Sequence, residues 1–144
     1  MGAAPSALFR GTAMAGGQMI RGHGIDVVEL ARIQNHLNSP HDDWADAVFS
    51  ADERAQADPP PHDIGFYAGR YAAKEAVAKA LGTGFSDDVA WLDIEILRQP
   101  TGAPEVRLSG GALEVANTLG VTQWLISISH SGGYAVASAI AVTG

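Results

Sequence analysis

The chain has 144 residues, which is the size of one domain with its own core. Hydrophobic residues make up 47% and charged residues 17%, so the composition excludes an intrinsically disordered chain. A formal net charge of −7 argues against nonspecific binding to nucleic acid or anionic membranes, and the lack of cysteine excludes disulfides and thiol catalysis.

The first 19 residues are rich in glycine and alanine and nearly uncharged, and they lack the continuous apolar core of a secretory signal. We expect residues 1–19 to be a flexible N-terminal tail or an artificial extension, and residues 20–144 to form a single domain. No segment approaches the roughly 20 apolar residues that a membrane span needs. A cytoplasmic location fits these features.

The first predicted element is a strand at 20–28, "IRGHGIDVV", with glycines where the backbone must pass something closely. Helical spacing of apolar residues follows at 29–38, and 42–49 is a second short helix. Ser50 and Glu53 have the spacing of a capping box, which predicts the start of a third helix.

The rest of the chain alternates between strands and helices. A helix is predicted at 65–81, strands at 91–99 and within 101–110, a helix at 109–119 closed by Gly120, and a hairpin of strands 122–130 and 134–142. This order predicts an α+β fold in which an early helical stretch precedes an antiparallel sheet with a central helix packed on it.

The helix at 65–81 has an unusual set of charges. At 100° per residue one face is apolar and must be buried; it consists of Phe66, Gly69, Ala73, Ala76, Val77 and Ala80. Glu75 lies opposite this face with Lys79 one turn later, and Arg70 and Lys74 follow one flank. A solvated Glu–Lys pair worth a few tenths of a kcal/mol explains this pattern equally well.

Three motifs in order resemble one enzyme family. They are "GHGIDVVELARI" at 22–33, "FYAGRYAAKEAVAKALGTG" at 66–84 and "SISHS" at 127–131. Together they are similar to the holo-acyl-carrier-protein synthase type of 4′-phosphopantetheinyl transferase, over about residues 20–142. None of the motifs is specific alone, but their order in a chain of this size is.

The resemblance implies an activity. The family transfers the 4′-phosphopantetheine group of coenzyme A to a serine of an apo acyl carrier protein and releases adenosine 3′,5′-bisphosphate, in support of fatty acid or polyketide biosynthesis. Such chemistry needs neutralised phosphates, an activated hydroxyl and in-line positioning. The resemblance also implies a homotrimer with active sites between subunits.

The resemblance assigns the reacting groups. The family's Mg²⁺ ligands correspond to Asp26 and Glu75. Of the residues that flank Asp26, we expect His23 to be an outer contact of the site or a structural residue, and Glu29 to make a water-mediated contact. Glu75 or a metal-bound water takes the proton of the serine hydroxyl. Lys79 is the acid that protonates the leaving phosphate.

The resemblance also implies a set of contacts to coenzyme A. Positive charge for its phosphates would come from two cations, and the loop after the helix and the third motif would approach the nucleotide. These residues are Arg70, Lys74, Gly82, Thr83, Gly84, His130 and Ser131. Gly82 also suits a left-handed helix C-cap, and Gly84 a tight turn.

Carrier-protein docking departs from the family pattern. Relatives dock acidic carriers with a basic first helix, whereas here Arg32 is the only cation in that helix and is the predicted docking residue. Apolar contacts from Leu30, Ile33 and Leu37 are the alternative.

Two other functions remain open at the level of sequence. One is a noncatalytic module that binds coenzyme A or a nucleotide, and the other is a Mg²⁺-dependent pyrophosphate hydrolase in which water replaces serine. The presence of Asp26, Glu75 and Lys79 together favours the transferase over the noncatalytic module.

Overall fold

The computed structural model describes Ala13–Met14 and residues 17–144. The strands are β1 (Ala13–Met14), β2 (Gln18–Glu29), β3 (Ile94–Arg98), β4 (Pro104–Leu108), β5 (Gln123–Ser131) and β6 (Tyr134–Thr143). The helices are α1 (Leu30–Asn38), α2 (Trp44–Val48), α3 (Ala51–Ala55), α4 (Asp63–Ala80) and α5 (Gly110–Leu119), with a 3-10 turn at Trp91–Asp93.

The strands form two antiparallel sheets, which confirms the predicted α+β class. The larger sheet has the order β1-β2-β6-β5, and the smaller one pairs β3 with β4. In the larger sheet Asp26 pairs with Ala137, which in turn pairs with Ile128. The long helix α4 packs on one face of this sheet.

The packing of α4 on the sheet is unusually close because both surfaces are made of small residues. Strand β6, which lies between β2 and β5, turns four alanines towards the helix, and all four are buried: Ala135, Ala137, Ala139 and Ala141. A Cβ atom at Gly22 or Gly24 would overlap a carbonyl oxygen of α4, at Ala80 or Ala76 respectively. The predicted close backbone approach in this strand is therefore confirmed.

A second layer covers the opposite side of α4. Within it, Glu53 caps α3 through the predicted capping box with Ser50, and its Oε2 accepts a hydrogen bond from the backbone N–H of Ile96 at 2.8 Å. The Lys74 ammonium lies 2.8 Å from Glu53 Oε1 and also donates to the backbone carbonyl oxygen of Ile94. Both charged side chains are fully buried, so this ion pair joins α3, α4 and β3.

Two predicted boundaries differ from the structure. The strand predicted at 91–99 begins only at Ile94, because the carboxylate of Asp93 accepts a hydrogen bond from the backbone N–H of Ala90 and closes a 3-10 turn. At the N-terminus β2 begins at Gln18 and pairs there with Met14, two residues before the predicted start of the fold. Most of the predicted tail at 1–19 lies outside the described residues.

No helix in the described part of the chain combines the length and the apolar character needed to cross a bilayer.

Replacing Gly24 tests the close packing. We expect Gly24→Ala to lower the free energy of unfolding by about 3 kcal/mol or more, because the new methyl group forces strand and helix apart. Gly65→Ala is the matched control: its Cβ would meet His130 at an ordinary 3.9 Å, and alanine favours the helix by up to about 1 kcal/mol. Urea unfolding of both variants measures the difference, and equal stability of the two would contradict the packing argument.

Replacing Lys74 tests the buried ion pair. Lys74→Met leaves the Glu53 carboxylate buried without its cation, so we expect a loss of about 3–5 kcal/mol in the free energy of unfolding. Arg54→Met breaks an exposed pair with Asp46 and should cost less than about 1 kcal/mol. A loss of similar size in both variants, measured in urea, would show that burial of the pair is unimportant.

Candidate functional site

The first part of the candidate site lies where β2 meets the C-terminal half of α4. Asp26 is on the helix-facing side of β2, and Glu75 and Lys79 are on the flank of α4 beside it. The Lys79 ammonium donates to Asp26 Oδ1 at 3.0 Å and to the Ile25 carbonyl oxygen at 3.0 Å. Three residues predicted from sequence are thus brought together, although 49 positions separate Asp26 from Glu75. We call these three residues the carboxylate cluster.

The carboxylate cluster has a perturbed electrostatic environment. Burial raises the pKa of the half-buried Glu75 carboxyl, and the nearby Asp26 carboxylate raises it further. Lys79 and Arg32 oppose this rise by stabilising the ionised form. Two carboxylates close enough to repel each other, with cations at their edge, form a site that gains from binding a further cation.

The oxygen atoms of this cluster suit Mg²⁺, a hard cation that takes few protein carboxylates and keeps several waters. Asp26 already holds a cationic group, the Lys79 ammonium, which shows that its carboxylate is oriented to accept one. Among the described residues no group of three or more His, Cys, Asp or Glu side chains gathers as a metal site. The residues therefore fit a two-carboxylate magnesium site and do not form a closed protein cage.

Arg32 lies next to this cluster. Its guanidinium donates to the Tyr71 hydroxyl at 3.1 Å and sits 5.4 Å from the centre of the Tyr71 ring. The side chain is otherwise exposed, at the rim of the site. This position is compatible with the predicted docking role, which stays a prediction.

The loop after α4 borders the same cluster. Gly82 and Gly84 both have positive φ values, 80° and 58°, as the predicted cap and turn require. A Cβ at either position would meet no atom within 4 Å, so the space beside this loop is open. Thr83 donates its hydroxyl to the Gly84 carbonyl oxygen at 2.8 Å.

His130 and Ser131 end strand β5, where the His130 ring points to the N-terminal half of α4 and Ser131, the next residue, points to the other face of the sheet. The His130 ring nitrogen Nε2 is 2.8 Å from the Gly65 carbonyl oxygen, and Gly69 is small enough to let the ring approach. Gly69, the nearer of the two glycines, lies six residues of helix, about 9 Å, before Glu75. The structure therefore does not bring the third sequence motif to the carboxylate cluster of the same chain.

Arg70 lies on the side of α4 that carries Lys74, about 40° from it around the helix, and its charged neighbours there are Arg98, Asp58 and Glu53. It lies about 140° around the helix from Glu75, and its guanidinium sits 4.5 Å from the centre of the Phe66 ring. The side chain is 8% exposed, and its Nε has no hydrogen-bond partner among the described residues. Burial lowers the pKa of Arg70, with a smaller effect from Arg98. A buried cation with an unpaired N–H is suited to an anion.

Lys74 does not lie on an exposed flank, and that part of the sequence interpretation is wrong. The second layer buries it completely against Glu53, and burial lowers its pKa against the opposing effect of that carboxylate. With its ammonium enclosed by the protein, Lys74 is not available to a phosphate. Sequence reasoning found Glu53 only as a capping residue, because nothing in its local pattern identifies a partner 21 positions away.

Smaller expectations also need correction. His23 and Glu29 lie on the uncovered face of the sheet, opposite Asp26, because alternate residues of a strand point to opposite sides. Apolar docking through α1 is limited, since Ile33 is fully buried and Leu30 and Leu37 pack against the core.

Known proteins resemble this chain over most of its length. Residues 22–139 match the model of the 4′-phosphopantetheinyl transferase superfamily. A holo-[acyl-carrier-protein] synthase of Solidesulfovibrio magneticus is 49% identical over 119 residues, which are 83% of this chain and 95% of that relative.

Solved structures agree with this match. The holo-[acyl-carrier-protein] synthase of Neisseria meningitidis superposes with a TM-score of 0.76 at 28% identity, covering 85% of this chain and 98% of that one. The synthase of Bacillus anthracis, in complex with CoA (3′,5′-ADP), has a TM-score of 0.72 at 35% identity over 87% of this chain and 98% of that one.

Proposed function

The chain belongs to the 4′-phosphopantetheinyl transferase superfamily, and from this premise we propose how its residues act. It is a holo-acyl-carrier-protein synthase, which transfers the phosphopantetheine group of coenzyme A to an apo acyl carrier protein. The single observation that carries the residue assignment is the meeting of Asp26, Glu75 and Lys79 at one junction of strand and helix.

The reaction breaks one phosphoanhydride bond and forms one phosphodiester bond. The carrier serine oxygen attacks the phosphorus next to the pantetheine, and adenosine 3′,5′-bisphosphate leaves with the bridging oxygen. The serine proton has to be removed and the leaving phosphate stabilised. Mg²⁺, held by Asp26 and Glu75, supplies charge neutralisation on the pyrophosphate when it is bound.

Glu75 is the proposed base. Its carboxylate lies within one helical turn of Lys79, and its flank of α4 is open to solvent. Lys79, whose side chain is 50% exposed one helical turn later, is the proposed acid for the leaving phosphate. The open loop at Gly82–Gly84 leaves room for the coenzyme beside both groups.

We further propose that the working enzyme is a homotrimer with each site shared between two subunits. Two observations support this. His130 packs on the N-terminal half of α4 and Arg70 lies on its second-layer side, whereas the carboxylate cluster lies beside the C-terminal half of the helix. The sheet face opposite α4 exposes apolar side chains, with Ile25 at 54% and Val27 at 56%, as a surface that gains from a protein partner would.

The client and the location are part of the same proposal. The client is an acyl carrier protein or carrier domain of fatty acid or polyketide synthesis, docked beside Arg32. We place the enzyme in the cytoplasm, with no part played by nucleic acid or membrane.

Intact-mass spectrometry of an apo acyl carrier protein tests the reaction and the carboxylate cluster. With coenzyme A and Mg²⁺ we expect a gain of one phosphopantetheine group, which EDTA abolishes. Asp26→Ala and Glu75→Ala should each lower the rate by at least about 100-fold, since the site has no carboxylate to spare. Glu114→Ala, an exposed carboxylate on α5, is the matched control and should keep the full rate. An undiminished rate in Glu75→Ala contradicts the assignment, and free phosphopantetheine without carrier modification identifies a hydrolase.

Complementation between variants tests the shared site. Glu75→Ala and His130→Ala should each be impaired alone. Co-expressed in equal amounts they should regain about a quarter of the wild-type rate, because that fraction of sites takes both intact halves from different chains. The same experiment with Asp26→Ala and Glu75→Ala should give no recovery, since one chain supplies both carboxylates. Absence of recovery in the first pair, with mixed oligomers verified by mass, argues against the shared site.

A further inference from the structure

The proposed magnesium site already contains a cation from the protein itself. The Lys79 ammonium is held by two acceptors on β2, the Asp26 carboxylate and the Ile25 carbonyl oxygen, each at 3.0 Å. The Asp26 side chain is only 14% exposed, whereas that of Lys79 is 50% exposed. The charged end of the lysine therefore contacts a largely buried carboxylate, although half of the lysine side chain is exposed.

The positive charge of Lys79 lies close to both carboxylates of the cluster, those of Asp26 and Glu75. The lysine ammonium bonds to Asp26, and Glu75 lies one helical turn before Lys79 on the same flank of α4. In this arrangement the ammonium supplies the neutralisation that a divalent ion would otherwise supply. An ammonium and a dication at one carboxylate repel each other and compete for its oxygen atoms.

We propose that Lys79 is an internal counter-ion of Asp26 and Glu75, and that Mg²⁺ displaces its ammonium from Asp26 on binding. This inference rests on the proposed function, because it takes Asp26 and Glu75 as the metal ligands. Displacement has a second consequence: it frees the ammonium to turn towards the phosphates bound beside the loop at Gly82–Gly84. The acid is then delivered only to a site that has already taken up its metal.

The lysine is suited to such a movement. It lies in the last turn of α4, and the side chain is half exposed, so its release does not disturb the core. Ion pairs with one exposed partner contribute little net stability and exchange readily for other contacts. Lys74, one turn earlier, is the opposite case: its ammonium is fully enclosed and stays with Glu53.

Metal binding without coenzyme A or carrier tests the proposal. Electron paramagnetic resonance of Mn²⁺, a probe for the magnesium site, measures affinity in the full chain. We expect Lys79→Ala to bind Mn²⁺ about fivefold more tightly than wild type, because the competing cation is gone. Asp26→Asn should lose binding. Arg32→Ala is the matched control: it removes the same charge near Glu75 without a hydrogen bond to Asp26, and should change affinity by about twofold at most.

A direct view of the ammonium is also available, because the chain has only two lysines, Lys74 and Lys79. In protein labelled with ¹⁵N at lysine Nζ, addition of Mg²⁺ should shift the Lys79 signal and leave the Lys74 signal in place. A Lys79 signal that stays unchanged while the metal binds overturns the displacement.

The possible outcomes separate this inference from the function on which it rests. Unchanged or weaker Mn²⁺ binding in Lys79→Ala, with normal binding in wild type, refutes the counter-ion role and leaves the magnesium site standing. Absence of binding in both proteins removes the magnesium site and the counter-ion role together, although carrier modification in the mass-spectrometric assay would still stand as an observation.

Discussion

The structure depends on the close contact between α4 and the larger sheet. Glycines on β2 and alanines on β6 remove the side chains that would otherwise hold helix and strand at an ordinary distance. This contact sets the position of Asp26 relative to Glu75, because one residue lies on the strand and the other on the helix. A carboxylate pair that binds a metal with few protein ligands tolerates little displacement. The small residues are therefore a condition of the chemistry as well as of the fold.

A consequence of this contact is that α4 becomes a buried helix with two very different flanks. The second layer of α3 and β3 closes its back, and the Glu53–Lys74 pair satisfies the charges enclosed there. The flank that remains open on one side carries Glu75 and Lys79. Two adjacent residues therefore differ in environment. Lys74 is buried in the ion pair that joins α4 to α3 and β3, and Glu75 lies on the open flank of the helix.

The positions of His130 and Arg70 are the reason why, under the proposed function, one subunit does not supply a complete active site. His130 packs on the N-terminal half of α4 and Arg70 lies on its second-layer side, whereas the carboxylates lie beside its C-terminal half. Arg70 is buried with an unpaired Nε, which is costly unless an anion is bound for part of the cycle. The proposed neighbouring subunit would cover the apolar side chains that the sheet exposes on the face opposite α4.

Much of the site could be predicted from sequence. Local patterns identified the capping box of α3, the left-handed cap at Gly82, the strand glycines and the apolar face of α4, because these depend on neighbours within a turn or two. The pairing of Asp26 with Glu75 came from ordered motifs that resemble a family, and the structure does bring the two together. The sequence motifs contain all three charged residues that meet where β2 contacts α4: Asp26, Glu75 and Lys79.

Other properties were decided by the tertiary structure alone. A helical wheel shows which face of α4 is apolar. It cannot show that α3 and β3 cover the side that carries Lys74, so the sequence alone predicts a phosphate contact there. Likewise the sequence does not indicate that Lys79 bonds to Asp26 or that His130 packs on the N-terminal half of α4. Both contacts depend on how strands distant in sequence pair and on where α4 crosses them. The amino-acid sequence by itself determined the elements, their caps and the set of reactive residues, since these are local properties of the chain. Which charges are buried, which are paired and which face a partner was decided only by packing, since burial and pairing are relations between segments far apart in sequence.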